Sequence, residues 1–455
     1  MKQYQASLFI FRRDLRLNDN TGLLEALRLS ERVIPCFILD PRQVDPHPYQ
    51  SKPGLQFMLE SIHDLQCQLE SVGGELAVYH APPEDIVERL VLTKNVQAVF
   101  INRDYTPFSR QRDHSLALLC ERLGVVLCVM PDALLNEPEH AIKADRTPYR
   151  IFTAFYNNAR SLLVALPQAA PDCSPLTVGD GNAIDKMEAP SIEAGIRGGR
   201  SEALRILDGL DDCADYQNSR DFPMLDATSK LSAHLKFGTC SIREAFYAIT
   251  RRLGSEHPLI RQLYWRDFFT HVAYHFPYVF ERPFLEKLVK LRWENKSDHF
   301  EAWCLGKTGF PIVDAGMREL NTTGYMHNRV RMITASFLVK DLHVDWRWGE
   351  RYFAQHLIDY DPCVNNGNWQ WAASTGCDAQ PYFRIFNPWL QQLKFDRDCR
   401  YIYRWLPELR GFSPAIIHGW NKKHLVCDYP APIVDHARES KVTKDSYKIL
   451  ALSQG

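Results

Sequence analysis

Between residues 7 and 130 the chain repeats one pattern five times, a short apolar run followed by a longer stretch with helical spacing. The runs are 7–11, 33–39, 76–79, 98–101 and 125–130, and 55–69 is the clearest amphipathic stretch between them. Short strands joined by helical crossovers pair in parallel, with helices covering the faces. Residues 1–130 are therefore expected to form an α/β domain with a five-stranded parallel, Rossmann-like sheet. In such sheets ligands sit beyond the carboxyl ends of the strands, which singles out the loops 12–16 and 102–108.

From 131 to 200 the pattern stops, because prolines at 131, 138, 148, 167, 171, 175 and 190 and glycines at 179, 181, 195, 198 and 199 interrupt every period. This stretch reads as an interdomain linker with one helix over about 151–166. Beyond it helical spacing dominates, as in Ile312, Ala315, Gly316, Glu319 and Leu320, and no strand pattern occurs. Residues 201–455 are expected to form an all-α domain whose core ends near 430 and is followed by a basic polar tail. All ten tryptophans lie at or beyond 265, so the aromatic chemistry belongs to this half.

Charge excludes little. The chain has 54 Lys plus Arg against 55 Asp plus Glu, but residues 1–200 hold 21 basic and 25 acidic groups, which leaves the second half mildly basic. A few phosphate contacts need only a local basic patch, so a nucleic-acid partner stays open. The twelve cysteines are never closer than eight residues apart and form no CxxC pair, which removes zinc-ribbon and thioredoxin-like readings. Without a leader-like N-terminus or an apolar run of about 18 residues, the reading is a soluble, cytoplasmic, monomeric protein with free thiols and no membrane or protein partner.

Several motifs fail on inspection. Gly306-Lys307-Thr308 ends like a phosphate-binding loop, but Glu301 stands where its first glycine belongs, and GxGxxG, GxSxG and HExxH are missing. His271 and His275 lie one helical turn apart, but their aromatic neighbours favour a structural role over a metal site. Two segments carry more. Asn328, Arg329, Arg331 and Met332 interrupt an otherwise apolar helix over 325–338, and a buried arginine needs an anion, either a phosphate-bearing ligand or Asp359 or Asp361. Residues 365–376 mix amides, small residues and two indoles, which suits a planar heteroaromatic ligand.

Four segments resemble the photolyase and cryptochrome family: 11–20, Trp265-Arg266-Asp267-Phe268, 328–338, and 369–388 ending in Tyr382-Phe383-Arg384-Ile385-Phe386-Asn387-Pro388. They are most similar to the class I photolyases that repair cyclobutane pyrimidine dimers. The resemblance implies FAD in the helical domain, held by Tyr216, Thr228, Ser229, Lys230, Leu231, Ser232, Arg266, Arg331, Asp359, Tyr360, Asp361 and Asn365. Lys230 stands where many members have arginine, which keeps the charge but loses the fork. Asn365 is implied to face the flavin N5. Trp369, Trp346 and Trp293 are implied to carry electrons to the flavin. UV-damaged DNA is the implied partner, its lesion flipped out and met by Arg220, Gln262, Trp265, Asn328, Arg329, Met332 and Trp371, with Asn365, Gln262 and Met332 nearest the chemistry.

The activity implied is light-dependent electron transfer from reduced FAD to the dimer. Gln262 departs from the glutamate of typical members and is what (6-4) photolyases tend to show, but Asn328 and Met332 replace that class's histidine pair. A signalling cryptochrome is the alternative, set against by the short stretch after Pro432. Phe108 and Ser109 replace the Asn-Glu pair of folate-binding members, so an antenna chromophore is expected to be 8-hydroxy-5-deazaflavin, with folate or an empty site open.

Overall fold

The computed structural model describes residues 2–169, 171–181, 184, 193, 195–422 and 428–452; Pro190, Cys427 and the last three residues of the expected tail lie outside them. Five strands, β1 (Tyr4–Phe11), β2 (Ser30–Leu39), β3 (Ala77–His80), β4 (Ala98–Asn102) and β5 (Val126–Met130), form one sheet of order β3-β2-β1-β4-β5. Every pairing is parallel. Successive residues of β1 serve opposite faces: Phe9 and Phe11 pack with Leu23, Ile62 and Leu65, whereas Leu8 and Ile10 pack with Ile86, Val99 and Leu116. Helices on both faces explain why the strands read as continuous apolar runs.

Residues of the expected linker pack closely against this sheet. Leu176 bridges Val33 in parallel, in the part of the β2 ladder that the short β3 leaves open. The expected helix over 151–166 is shorter, Phe152–Ala159. Leu163 and Leu166, whose apolar character extended it on paper, are 92% and 70% exposed, so they have no face to bury, and Pro167 follows.

Among the described residues everything from Arg200 onward with regular structure is helical. Two apolar clusters organise it, one around the helix Pro258–His275 and one around the helices Pro311–Thr323, Asn328–Lys340 and Trp346–His356. The polar tail is corrected: His436–Leu452 is a helix anchored by His436 on Asp341, by His343 on Glu439 at 2.8 Å, and by a buried Tyr447. No helix is long and apolar enough to cross a membrane among the described residues. The eleven described cysteines are free. His271 and His275 bond the backbone carbonyls of Asn136 and Pro138, and burial first of all pushes the His271 imidazole down to about 4.

Candidate flavin and nucleic-acid site

The loop after β1, expected to face a ligand, lines a cavity through Arg12 and Arg13 and also fastens the sheet to the helices. Arg16 is 1% exposed and pairs with Asp132 at 2.7 Å while donating to the Gly238 carbonyl. Arg243 joins the same network through Asp19 and Asp132. Arg13 reaches furthest: it pairs with Asp104 at 3.0 Å, bonds Asp361, and donates to the Lys236 carbonyl at 3.2 Å. Burial opposes ionisation of Asp361, but Arg13, then Lys236 and Arg266, outweigh it and hold the carboxyl down at about 2.

Asp361 in turn caps the helix Pro362–Ala372, accepting from the amides of Cys363 and Val364 at 3.0 and 3.2 Å. A carboxylate at this end is favoured by both the free amides and the helix dipole. One turn in, Asn365 is buried and donates to the carbonyl of Glu350 at 3.1 Å and to its carboxyl at 2.9 Å. Among the described residues no donor meets Asn365 Oδ1, so this oxygen is left for a ligand.

Sequence reasoning missed Glu350, although a signal existed. It shares the buried stripe of its helix with Trp346, Gly349, Phe353 and Ala354, and a carboxylate there needs a reason. Burial pushes its carboxyl up to about 7, against hydrogen bonds from Asn365 and Tyr49. A carboxyl whose folded pKa lies above its unfolded value stabilises less as pH rises between the two. Glu350 therefore withdraws up to about 3 kcal/mol between pH 4.5 and 7. Glu350→Gln is expected to flatten that part of the stability-pH curve, measured by urea unfolding; an unchanged slope would show that Glu350 is ionised throughout.

The anion demanded by the arginine in 325–338 is Asp359, which receives both ends of the Arg331 guanidinium at 3.1 and 3.0 Å. Tyr360 is half-buried and stacks on Tyr49 at 6.4 Å. On the outer side of the helix Asn328–Lys340, Asn328 is exposed and contacts Met332 Sδ at 3.7 Å. Arg329 pairs with Asp221 at 2.7 Å and lies over Phe395 at 4.5 Å. Arg220 lies over Tyr216 at 5.7 Å. On Pro258–His275, Gln262 and Trp265 are half-buried three residues apart, and Arg266 donates to the carbonyls of Ala133 and Leu235. One face of Trp265 is taken by Phe152, at 3.5 Å and 6°, and Phe269 lies 5.5 Å from its ring at a tilt of 30°. Trp371 is half-buried at the rim of the other cluster.

Trp369 and Trp346 are each 2% exposed in one core, with Trp293 packed at its margin. The Trp369 ring leaves no room at position 349, where a β-carbon would stand 2.2 Å from it. Gly349 is therefore required by close approach.

Two places fit a dinucleotide or a planar ligand. Lys230 is left-handed at φ 55° and Leu231 right-handed at φ −71°, ψ −10°, a succession that turns adjacent backbone amides into an anion-binding nest. No side chain caps the following helix, Ser232–Phe237, so those amides are free for phosphate, while Lys230 itself pairs with Asp226 at 2.8 Å. The second place is a cavity of about 550 Å³ at the carboxyl ends of β1, β2 and β4, walled in part by Ile38, Phe108, Ser109 and Tyr360. Arg12 Nε and Arg112 Nη2 at its wall are buried without hydrogen-bond partners. Lys236 also lines it, pushed down to about 8 by burial and then by Arg13. These cations suit a ligand with a negative group.

An α/β sheet joined to a helical body, with an anion-binding type of nest and a buried amide-indole helix, is an arrangement that suits a nucleotide cofactor. Family models agree: residues 7–173 match DNA photolyase and residues 259–449 match the FAD binding domain of DNA photolyase. The chain belongs to the DNA photolyase family, a family of FAD-binding DNA-repair enzymes. It is 36% identical to the deoxyribodipyrimidine photo-lyase of Synechococcus sp., over 97% of this chain and 96% of that one. Among solved structures it resembles an archaeal photolyase from Sulfolobus tokodaii with two FAD molecules, at 43% identity, TM-score 0.89, and coverage of 98% and 100% of the two chains. It also resembles a bacterial class III photolyase from Agrobacterium tumefaciens, at 32% identity, TM-score 0.91, and coverage of 99% and 98%.

Proposed function

We propose that this chain repairs cyclobutane pyrimidine dimers in DNA under light, with FAD in the helical body. The observation that carries the reading is the helix Pro362–Ala372, which sets the Asp361 cap, the Asn365 amide and Trp369 along one short element while Trp371 stays accessible. When bound, FAD supplies a photoexcitable electron donor and recovers the electron after the ring splits. The residues do the rest. Residues Thr228 to Ser232 take the phosphates through the nest, and Tyr216, Arg266, Asp359, Tyr360 and Asp361 line the cofactor. Arg331 fixes Asp359, and Glu350 orients the Asn365 amide so that Oδ1 points at the N5 edge. Trp369, Trp346 and Trp293 pass electrons inward from the margin.

Trp265 and Trp371 form the walls for the flipped dimer, with Gln262, Asn328 and Met332 as the polar and soft contacts and Arg220 and Arg329 at the phosphates. A stacked base is worth about 1 to 3 kcal/mol, comparable to the cost of flipping a poorly stacked lesion. Trp371→Ala is expected to weaken dark binding of a duplex carrying one dimer by that amount and to leave undamaged duplex unaffected. Fluorescence anisotropy checks this; equal losses on both duplexes would place Trp371 outside the lesion pocket.

The cavity at the carboxyl ends of the strands takes the antenna. Its cations fit the ionised hydroxyl of 8-hydroxy-5-deazaflavin, which remains our assignment. The two FAD molecules of the Sulfolobus tokodaii relative make FAD, through its phosphates, the second reading. Mass spectrometry of the released chromophore separates them.

A further inference from the structure

The helix Pro362–Ala372 is held at both ends by buried charge. Asp361 and Arg13 secure its amino end, whereas Lys340, 0% exposed, stands at its carboxyl end. Lys340 Nζ donates to the Ser374 hydroxyl at 3.0 Å and to the Ala373 carbonyl at 3.4 Å. The helix His436–Leu452 closes over this contact. Its Tyr447 hydroxyl donates to the same Ala373 carbonyl at 2.5 Å, and Lys340 Nζ lies 3.9 Å from the centre of the Tyr447 ring. Tyr447 also stacks on Tyr382, in the segment that follows Ser374, at 5.7 Å and 6°.

No step of the proposed repair uses these groups, yet the lysine is costly to the fold. Among the described residues no carboxylate pairs with it: Asp341 is taken by His436, and Glu439 by His343. Burial alone pushes the Lys340 ammonium down to about 7. A lysine whose folded value lies below its unfolded one weakens the fold most below about 7, and the cost fades as pH rises from there towards 10.5. An apolar side chain of similar length would fill the space without that cost. What the cation supplies is direction, because the carboxyl end of a helix and the face of an aromatic ring both attract it.

We propose that Lys340 is a positioning residue of the lesion pocket, an inference that rests on the photolyase reading above. Trp371, the proposed wall for the flipped dimer, stands two residues before Ala373, and the Ser374 amide donates back to the Trp371 carbonyl at 3.2 Å. With the Ala373 carbonyl gripped by Lys340 and Tyr447, the last turn is kept from fraying and the Trp371 indole holds one orientation before DNA arrives. A preset wall has less to order on binding. Without the grip the indole is present but mobile, so affinity for the flipped dimer falls while contacts to undamaged duplex stay.

Dark binding by the flavin-loaded, full-length protein is the test. Lys340→Met is expected to raise the dissociation constant for a duplex carrying one dimer about tenfold, within the range of one stacked base, and to leave undamaged duplex unaffected. In a Trp371→Ala background the same substitution is expected to add nothing, because Lys340 acts through that indole. Repair under light separates binding from chemistry: KM for the dimer duplex rises with the dissociation constant, and the rate at saturating duplex is retained. Equal losses on both duplexes, a full further loss on top of Trp371→Ala, or a lower saturating rate with KM unchanged overturns the proposal. Should Lys340→Met melt well below the parent, Tyr447→Phe takes its place, since it keeps the ring and removes only the hydroxyl. A loss of about threefold confined to the dimer duplex, the size of one hydrogen bond, supports the grip, and unchanged dimer affinity overturns it. A parent with no preference for the dimer refutes the photolyase reading together with the grip, whereas a dimer-selective parent matched by Lys340→Met refutes the grip alone.

Discussion

Arg13→Met is expected to lower the unfolding free energy by about 3 to 5 kcal/mol, the range for removing one partner of a buried ion pair. The guanidinium serves Asp104 on the sheet side and Asp361 at the cap of the flavin-side helix. Its loss takes the strongest partner from both carboxylates, leaving Asp104 with Arg112, Lys236 and Arg12 and Asp361 with Lys236 and Arg266. The cap would suffer too, because a carboxyl that takes up a proton accepts more weakly from Cys363 and Val364. Asp361→Asn is expected to cost less, since Arg13 keeps Asp104.

The pH dependence carries the same sign. Asp361 is held down at about 2 in the folded protein against 3.8 for a free carboxyl, so its stabilisation is complete above 3.8 and is lost as pH falls from there towards 2. In Arg13→Met the acid limb of the stability curve moves to higher pH. Urea unfolding across pH measures both effects, and a change below about 1 kcal/mol, the range of exposed pairs, would mean that the latch is solvated.

Trp369→Phe is expected to nearly abolish light-driven reduction of the bound flavin while protein reduced beforehand with dithionite still repairs dimers. The proposed relay starts at this ring, so its removal cuts the route at its flavin end. Trp369 also packs against Gly349, Phe353 and Trp303, and the melting temperature should be followed alongside. Equal loss of photoreduction and of repair by pre-reduced protein would make Trp369 a structural wall and not a relay.

What the sequence disclosed depended on the range of the interactions involved. The five strands were legible because burial on both faces of a parallel sheet leaves continuous apolar runs, and Arg331 was legible because a charge on an apolar helix requires an acid. The latching role of Arg13 and Arg16 within the loop 12–16 was not. Arg13 finds Asp104 at a separation of 91 residues and Asp361 at 348, and nothing local distinguishes such a latch from a ligand loop. The helix His436–Leu452 escaped notice because its anchors are His436, Glu439, Thr443 and Tyr447, polar or isolated, while Val442 and Ile449 face solvent. Phe152 covering one side of Trp265 has the same origin, a contact made from the linker across more than a hundred residues.

Blue-light illumination of the fully reduced, flavin-loaded protein over DNA carrying either a cyclobutane dimer or a (6-4) product tests the proposed activity most directly. Loss of cyclobutane dimers with (6-4) products untouched is the expected result. Cyclobutane dimers unchanged while the flavin is fully reduced would contradict it.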